Sequence, residues 1–151
     1  MSVLSVRLFT DKVLHQSTEL ITNFNSEELF KLSQDMIETM FQYKGIGLAA
    51  PQVGVNKNLA VMHLENKSKL ILVANCQNIC YNKECKEGLE GCLSSPNISV
   101  KMKRFTEIKF DALNLLGDLV HYELSGFDAV IAQHEIFHLQ GQMITDHIKK
   151  L

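Results

Sequence analysis

The strongest constraint on this chain is the pattern His134-Glu135-Ile136-Phe137-His138, which falls inside a segment reading as a helix from about Gly126 to Gln140. Ser125 stands where a helix cap belongs, and Gly141 where a left-handed residue would stop the helix. At 3.6 residues per turn, His134 and His138 project from one face about 40° apart, with Glu135 beside them. Two imidazoles so placed can grip one metal ion while the acid faces a bound water, the geometry of metal-assisted hydrolysis. An amphipathic helix can also carry this short pattern by chance, so the surroundings must decide. A metal held by two histidines needs another protein ligand.

Downstream, Gly141 matches an extended HExxHxxG form, but Ile144 stands where a third histidine would be required. His147 lies nine residues past His138, about 900° of helical rotation, which turns it to the opposite side and makes it a surface histidine. Upstream, Cys92 in Glu90-Gly91-Cys92-Leu93-Ser94 follows a glycine that permits close backbone approach. Its thiolate beside two neutral imidazoles would complete a three-ligand site with one open position. Taken alone, a buried cysteine is more often a small apolar filler. Cys76, Cys80 and Cys85 lack the paired CxxC knuckles of a structural zinc site and read as packing or surface thiols.

At 151 residues, with 46% hydrophobic and 21% charged, the chain is expected to form a single domain, 1–151, around one packed core. The net charge of −2 offers no basic field for a phosphate backbone, so nucleic acid is not expected as the primary ligand. No run approaches the roughly 18 apolar residues of a membrane span, and the first residues lack a signal peptide's layout; a soluble, cytoplasmic protein without membrane contact is expected. The first twenty-odd residues read as loose.

From Asn25 or Ser26 to about Tyr43, apolar residues recur at three and four, which predicts an amphipathic helix ended by Gly45. Leu59 to Leu64 and Leu70 to Ala74 read as two paired strands about an Asn66-Lys67-Ser68 turn. Residues 107–112 alternate and, after a turn near Gly117-Asp118, Leu119 to Leu124 completes a hairpin. Helix, antiparallel strands and helix make an α+β domain.

Between the first helix and the first strand pair lies Gly45-Ile46-Gly47-Leu48-Ala49-Ala50-Pro51-Gln52. Small residues there let backbone lie close to an extended substrate, and Gln52 offers an amide donor to an oxyanion. GxGxAAxQ (Gly45 to Gln52), EGCLS (Glu90 to Ser94) and QHExxHxxG (Gln133 to Gly141) resemble, in order and spacing, the three signature motifs of peptide deformylases.

That resemblance implies antiparallel sheets around a central metal-binding helix near the carboxyl end, with the first helix packed against them. It implies that Cys92, His134 and His138 hold one divalent metal, with iron(II) as the usual native ion and zinc, nickel or cobalt able to replace it. The implied activity removes the formyl group from the N-formylmethionine of nascent polypeptides, releasing formate. Glu135 would move the proton, while the Gln52 amide and the Leu93 backbone N–H meet charge on the formyl oxygen. Counting back from His134 places Phe127, Val130 and Ile131 on the ligand face as walls of a methionine slot, with Ile46 opposite. Substrate contact is also expected at Glu90 and along the backbone of Ile46 and Gly47.

The chain departs from the family pattern at Phe137, where most members carry aspartate, and in lacking an arginine after the second motif. It ends at Leu151, where many bacterial relatives continue into a longer helix tied to ribosome docking, so ribosome association is expected to be weak. Such a trimmed enzyme suits a minimal genome, such as a phage or an organelle-like setting, and the expected location is a bacterial-type cytoplasm, including that of a host in which a phage-encoded enzyme acts. Residues 146–151 read as a frayed helix end. The competing readings are an HExxH metallopeptidase and a catalytically impaired relative.

Overall fold

The computed structural model describes residues 2–148. Ser26 accepts the Leu29 N–H at 3.2 Å and starts helix α1 (Glu27–Gln42), with Glu27 and Glu28 in the first turn, where the helix dipole favours acids. Strand β1 (Gly47–Ala49) and a 3-10 turn (Ala50–Val53) follow. Next come β2 (Leu59–Leu64), β3 (Lys69–Tyr81), β4 (Cys85–Cys92), β5 (Ser95–Phe105), β6 (Glu107–Leu113), β7 (Leu119–Ser125) and helix α2 (Gly126–Leu139). Every strand pair is antiparallel; one sheet has the order β1-β2-β3-β6-β7, and β4 pairs with β5 in a second sheet.

Strand β2 shows why the helices take opposite faces of the larger sheet. Ala60, Met62 and Leu64 belong to the cluster that holds Ala129, Ile131, Ala132, Ile136 and Leu139 of α2. Leu59 and Val61 belong to the cluster that holds Leu29, Met36 and Met40 of α1. Successive strand residues point to opposite faces, so a strand covered on both sides must be apolar throughout. A smaller cluster of Val100, Met102 and Ile144, with Phe137 against it, ties the β4–β5 sheet to α2. The architecture is the expected α+β one, with α2 at the centre.

The structure departs from the sequence expectation in four places. Strand β3 runs on to Tyr81, because Asn75 and Asn78 take positive φ and break the register with β6 without ending the strand. The β4–β5 hairpin was not expected from its sequence. Ser125 occupies the α2 N-cap position, but its side chain makes no capping bond. The amino-terminal stretch is also not loose. Arg7 N–H donates to the Gln52 carbonyl, Phe9 N–H to that of Ser94, and Ile21 is held by both ends of the buried Asn75 amide. Near the other end, Ile144–His147 form a 3-10 turn. Of the tail expected to fray, residues 149–151 lie outside the described residues.

The end of α2 is fixed by the amino-terminal strap. Thr18 donates to the Leu139 carbonyl from both its amide and its hydroxyl, satisfying a carbonyl the helix itself leaves open. Gly141 then turns the chain at φ +76°, and a Cβ there would lie 2.7 Å from the Gln16 carbonyl carbon. Gly141→Ala meets both a left-handed backbone and an immovable neighbour. It is expected to lower stability by about 2 kcal/mol or more, read as a lower denaturation midpoint with an unchanged slope.

Candidate metal centre

Cys92 ends β4, where the register with β5 shifts between Glu90 and Cys92, and the two histidines come from α2. Cys92 Sγ lies 3.4 Å from His138 Nε2, which lies 3.3 Å from His134 Nε2. Tetrahedral coordination at ordinary bond lengths sets donors about 3.3 Å apart for two nitrogens and about 3.6 Å for sulfur and nitrogen. The three donors thus already stand at the spacing of one metal's coordination shell, and among the described residues they are the cluster able to hold one.

Neighbouring groups set the orientation and charge of these donors. Glu90 Oε1 accepts from His134 Nδ1 at 3.0 Å, which turns the other ring nitrogen toward Cys92 and His138. Arg104 holds the same carboxylate with two bonds of 2.9 Å. Burial alone would raise Glu90, but bonds from His134 and Arg104 outweigh it and bring its pKa to about 2. On His134, burial opposes positive charge, yet bonds to Cys92 and Glu90 prevail and raise it to about 10. His138 is pushed well down, first by burial and then by the charge of His134.

Glu135 is 3% exposed, and burial raises its carboxyl to about 7. Its Oε2 is buried and finds no hydrogen-bond partner among the described residues. A Cβ at Gly47 would sit 2.5 Å from Glu135 Oε1, so β1 can press against the carboxylate only because residue 47 has no side chain. Gln52 is held by the Ala49 N–H on its oxygen at 2.9 Å, which aims its amide nitrogen at Ser94 Oγ (3.2 Å) and Cys92 Sγ (3.5 Å).

A cavity of about 640 Å³ opens beside this cluster. Its walls bring together Ile46, Gly47, Gln52, Glu90, Cys92, Leu93, Phe127, Val130, Ile131, His134 and Glu135, nearly all the side chains the sequence singled out. His138 lies behind them, buried. Phe127 lines the cavity while remaining 64% exposed. Glu90, expected to touch substrate, lines the cavity, and its carboxylate oxygens accept from Arg104 and His134. The exposed Leu89 of the cavity wall and the Ser94 hydroxyl beside Gln52 were not anticipated as parts of the site. His147 stacks on Phe137 away from the donors. The other cysteines are free thiols, and burial raises Cys76 to about 12.

Three converging donors, an open side and an acid kept close by a glycine are the parts of a metal-dependent hydrolase. The family model for polypeptide deformylase matches residues 3–151. Peptide deformylase of Thermotoga maritima is 41% identical over 143 residues, covering 95% of this chain and 85% of that one. Its crystal structure superposes with a TM-score of 0.92 at 38% identity, covering 99% of this chain and all of the other. The Met-Ala-Ser-bound class I type b peptide deformylase of Acinetobacter baumannii gives 0.91 at 30% identity, over 98% of this chain and all of that one. The chain belongs to the peptide deformylase family.

Gly47→Ala should displace the Glu135 carboxylate without touching a donor to the metal. A misplacement near 1 Å costs about 100-fold in rate. We expect deformylation to fall by about that factor while metal content, measured by elemental analysis, stays at the unsubstituted level.

Proposed function

We infer that this protein hydrolyses the formyl group from N-formylmethionine at the start of nascent polypeptides, with Cys92, His134 and His138 holding one divalent metal. The observation that carries the reading is the meeting of these donors with a buried, partnerless glutamate oxygen beside an apolar cavity. A thiolate with two imidazoles suits iron(II), zinc, nickel or cobalt, and iron(II) is our choice as native ion. Bound there, the metal would acidify a water and polarise the formyl oxygen.

The chain's own residues do the rest. Glu135 accepts the proton of the attacking water and delivers it to the departing amine nitrogen. The Gln52 amide and the Leu93 backbone N–H face the formyl oxygen; one such donor is typically worth about 3 kcal/mol in the transition state. Ile46, Val130 and Ile131 form the apolar slot for an unbranched methionine side chain, and Phe127 closes its mouth. Strands β1 and β4 each present an unpaired edge to the cavity, so an extended peptide can lie along Ile46 and Gly47 as an added strand. A third ligand drawn from β4 rather than from downstream of the helix argues against an HExxH endopeptidase. The substrate sets the enzyme in the cytoplasm, where nascent chains emerge.

Glu135→Gln keeps the volume and removes the base. Formate release from formyl-Met-Ala-Ser should fall at least 100-fold, the low end for a lost general base, with metal content unchanged. Turnover equal to the unsubstituted enzyme would refute the assignment, and cleavage of an unformylated peptide would favour the endopeptidase.

A further inference from the structure

Phe137 stands where the family resemblance calls for aspartate, and its surroundings are not those of a simple filler. The guanidinium carbon of Arg104 lies 4.4 Å from the centroid of its ring, within cation–π range. The imidazole of His147 also stacks on the ring, with centroids 5.8 Å apart. Arg104 is 4% exposed, and its Nε and Nη2 are both committed to Glu90 at 2.9 Å. Glu90 in turn accepts His134 Nδ1 at 3.0 Å. An unbroken series of contacts therefore runs from Phe137 through Arg104 and Glu90 to a metal ligand.

A guanidinium buried to this degree gains from favourable contact beyond one carboxylate, because its planar faces have largely lost their water. A second acid would supply that contact as charge. An aromatic face supplies it through the ring quadrupole and, being flat, also fixes the tilt of the guanidinium plane. The tilt decides whether both bonds to Glu90 can form together, and hence where Glu90 holds the imidazole.

We propose that Phe137 is a positioning residue for the metal centre: its ring clamps Arg104 so that Glu90 keeps His134 in the orientation of a ligand. The proposal rests on His134 being a ligand, as in the function inferred above. The competing role is packing alone, since Phe137 also lies against Val100, Met102 and Ile144. Leucine keeps the packing and loses the aromatic face; tyrosine keeps the face.

The test uses full-length protein loaded with cobalt(II), whose thiolate-to-metal absorption reports Cys92 and whose loss to excess EDTA gives a dissociation rate. Phe137→Leu should lose cobalt about tenfold faster, the scale of a lost outer-shell partner, with an altered ligand-field spectrum. Phe137→Tyr should restore the unsubstituted rate and spectrum. In a Glu90→Gln background, Phe137→Leu should change the rate no further, because the series is already cut. Equal rates for the unsubstituted and Phe137→Leu proteins, or the same tenfold effect in the Glu90→Gln background, would overturn the proposal and leave packing as the role. Absence of the thiolate band in the unsubstituted protein would instead overturn the metal assignment and this proposal with it.

Discussion

The ion pair between Glu90 and Arg104 is the interaction on which the centre depends. Two imidazoles, a thiol and a carboxylate meet where β4 and α2 converge beside β1, and burying them without compensation would oppose folding. Glu90 answers that problem by accepting from His134 while it is itself held by two parallel bonds from Arg104. Breaking a buried pair of this kind typically costs about 3–5 kcal/mol, since the remaining charge has no water to turn to. The same carboxylate that makes His134 tolerable in the interior selects which ring nitrogen faces the other donors. Stability and ligand orientation are one requirement here.

Helix α2 carries both the largest core cluster and two of the three donors, so packing and chemistry cannot vary independently along it. Its start is held by Gly126 N–H on the Thr106 carbonyl, and Asp128 in its first turn accepts the Glu65 N–H. Its end is capped by Thr18. With both ends fixed and Ile136 and Ala132 locked against β2, the helix has little freedom to rotate, which keeps the imidazoles aimed at Cys92. A site built on a helix held in this way is more precise than one built on loops.

The parts of this fold that sequence reveals are those fixed by local periodicity. Helix α1 shows in the spacing of Leu29, Met36 and Met40, and the β6–β7 hairpin in the alternation of Ile108, Phe110 and Ala112 with charged residues. The β4–β5 sheet is hidden because β4, Cys85-Lys86-Glu87-Gly88-Leu89-Glu90-Gly91-Cys92, is largely exposed and buries no regular apolar face. The asparagine bulges of β3 depend on partners outside the strand, as Asn75 does on Ile21. Within the site, the three motifs named the residues around the cavity, but spacing alone did not show that Glu90 faces His134. That contact joins positions forty-four apart and exists only once β4 has met α2.

Position 137 illustrates how a motif constraint can be indirect. The residue there is not itself a donor; its ring lies against the guanidinium of Arg104, which holds Glu90, which holds His134. A carboxylate and an aromatic ring both meet that demand, one through charge and the other through its quadrupole, so exchanging them need not move the ligands. The exchange does remove a negative charge from the neighbourhood, leaving Glu90 the sole acid recorded in an ion pair with Arg104 among the described residues. With the guanidinium's attraction undivided, the bidentate geometry rests on that one carboxylate. The three donors can therefore keep their mutual spacing with a different residue behind them, because the need passed along the series is for a held cation rather than for an acid.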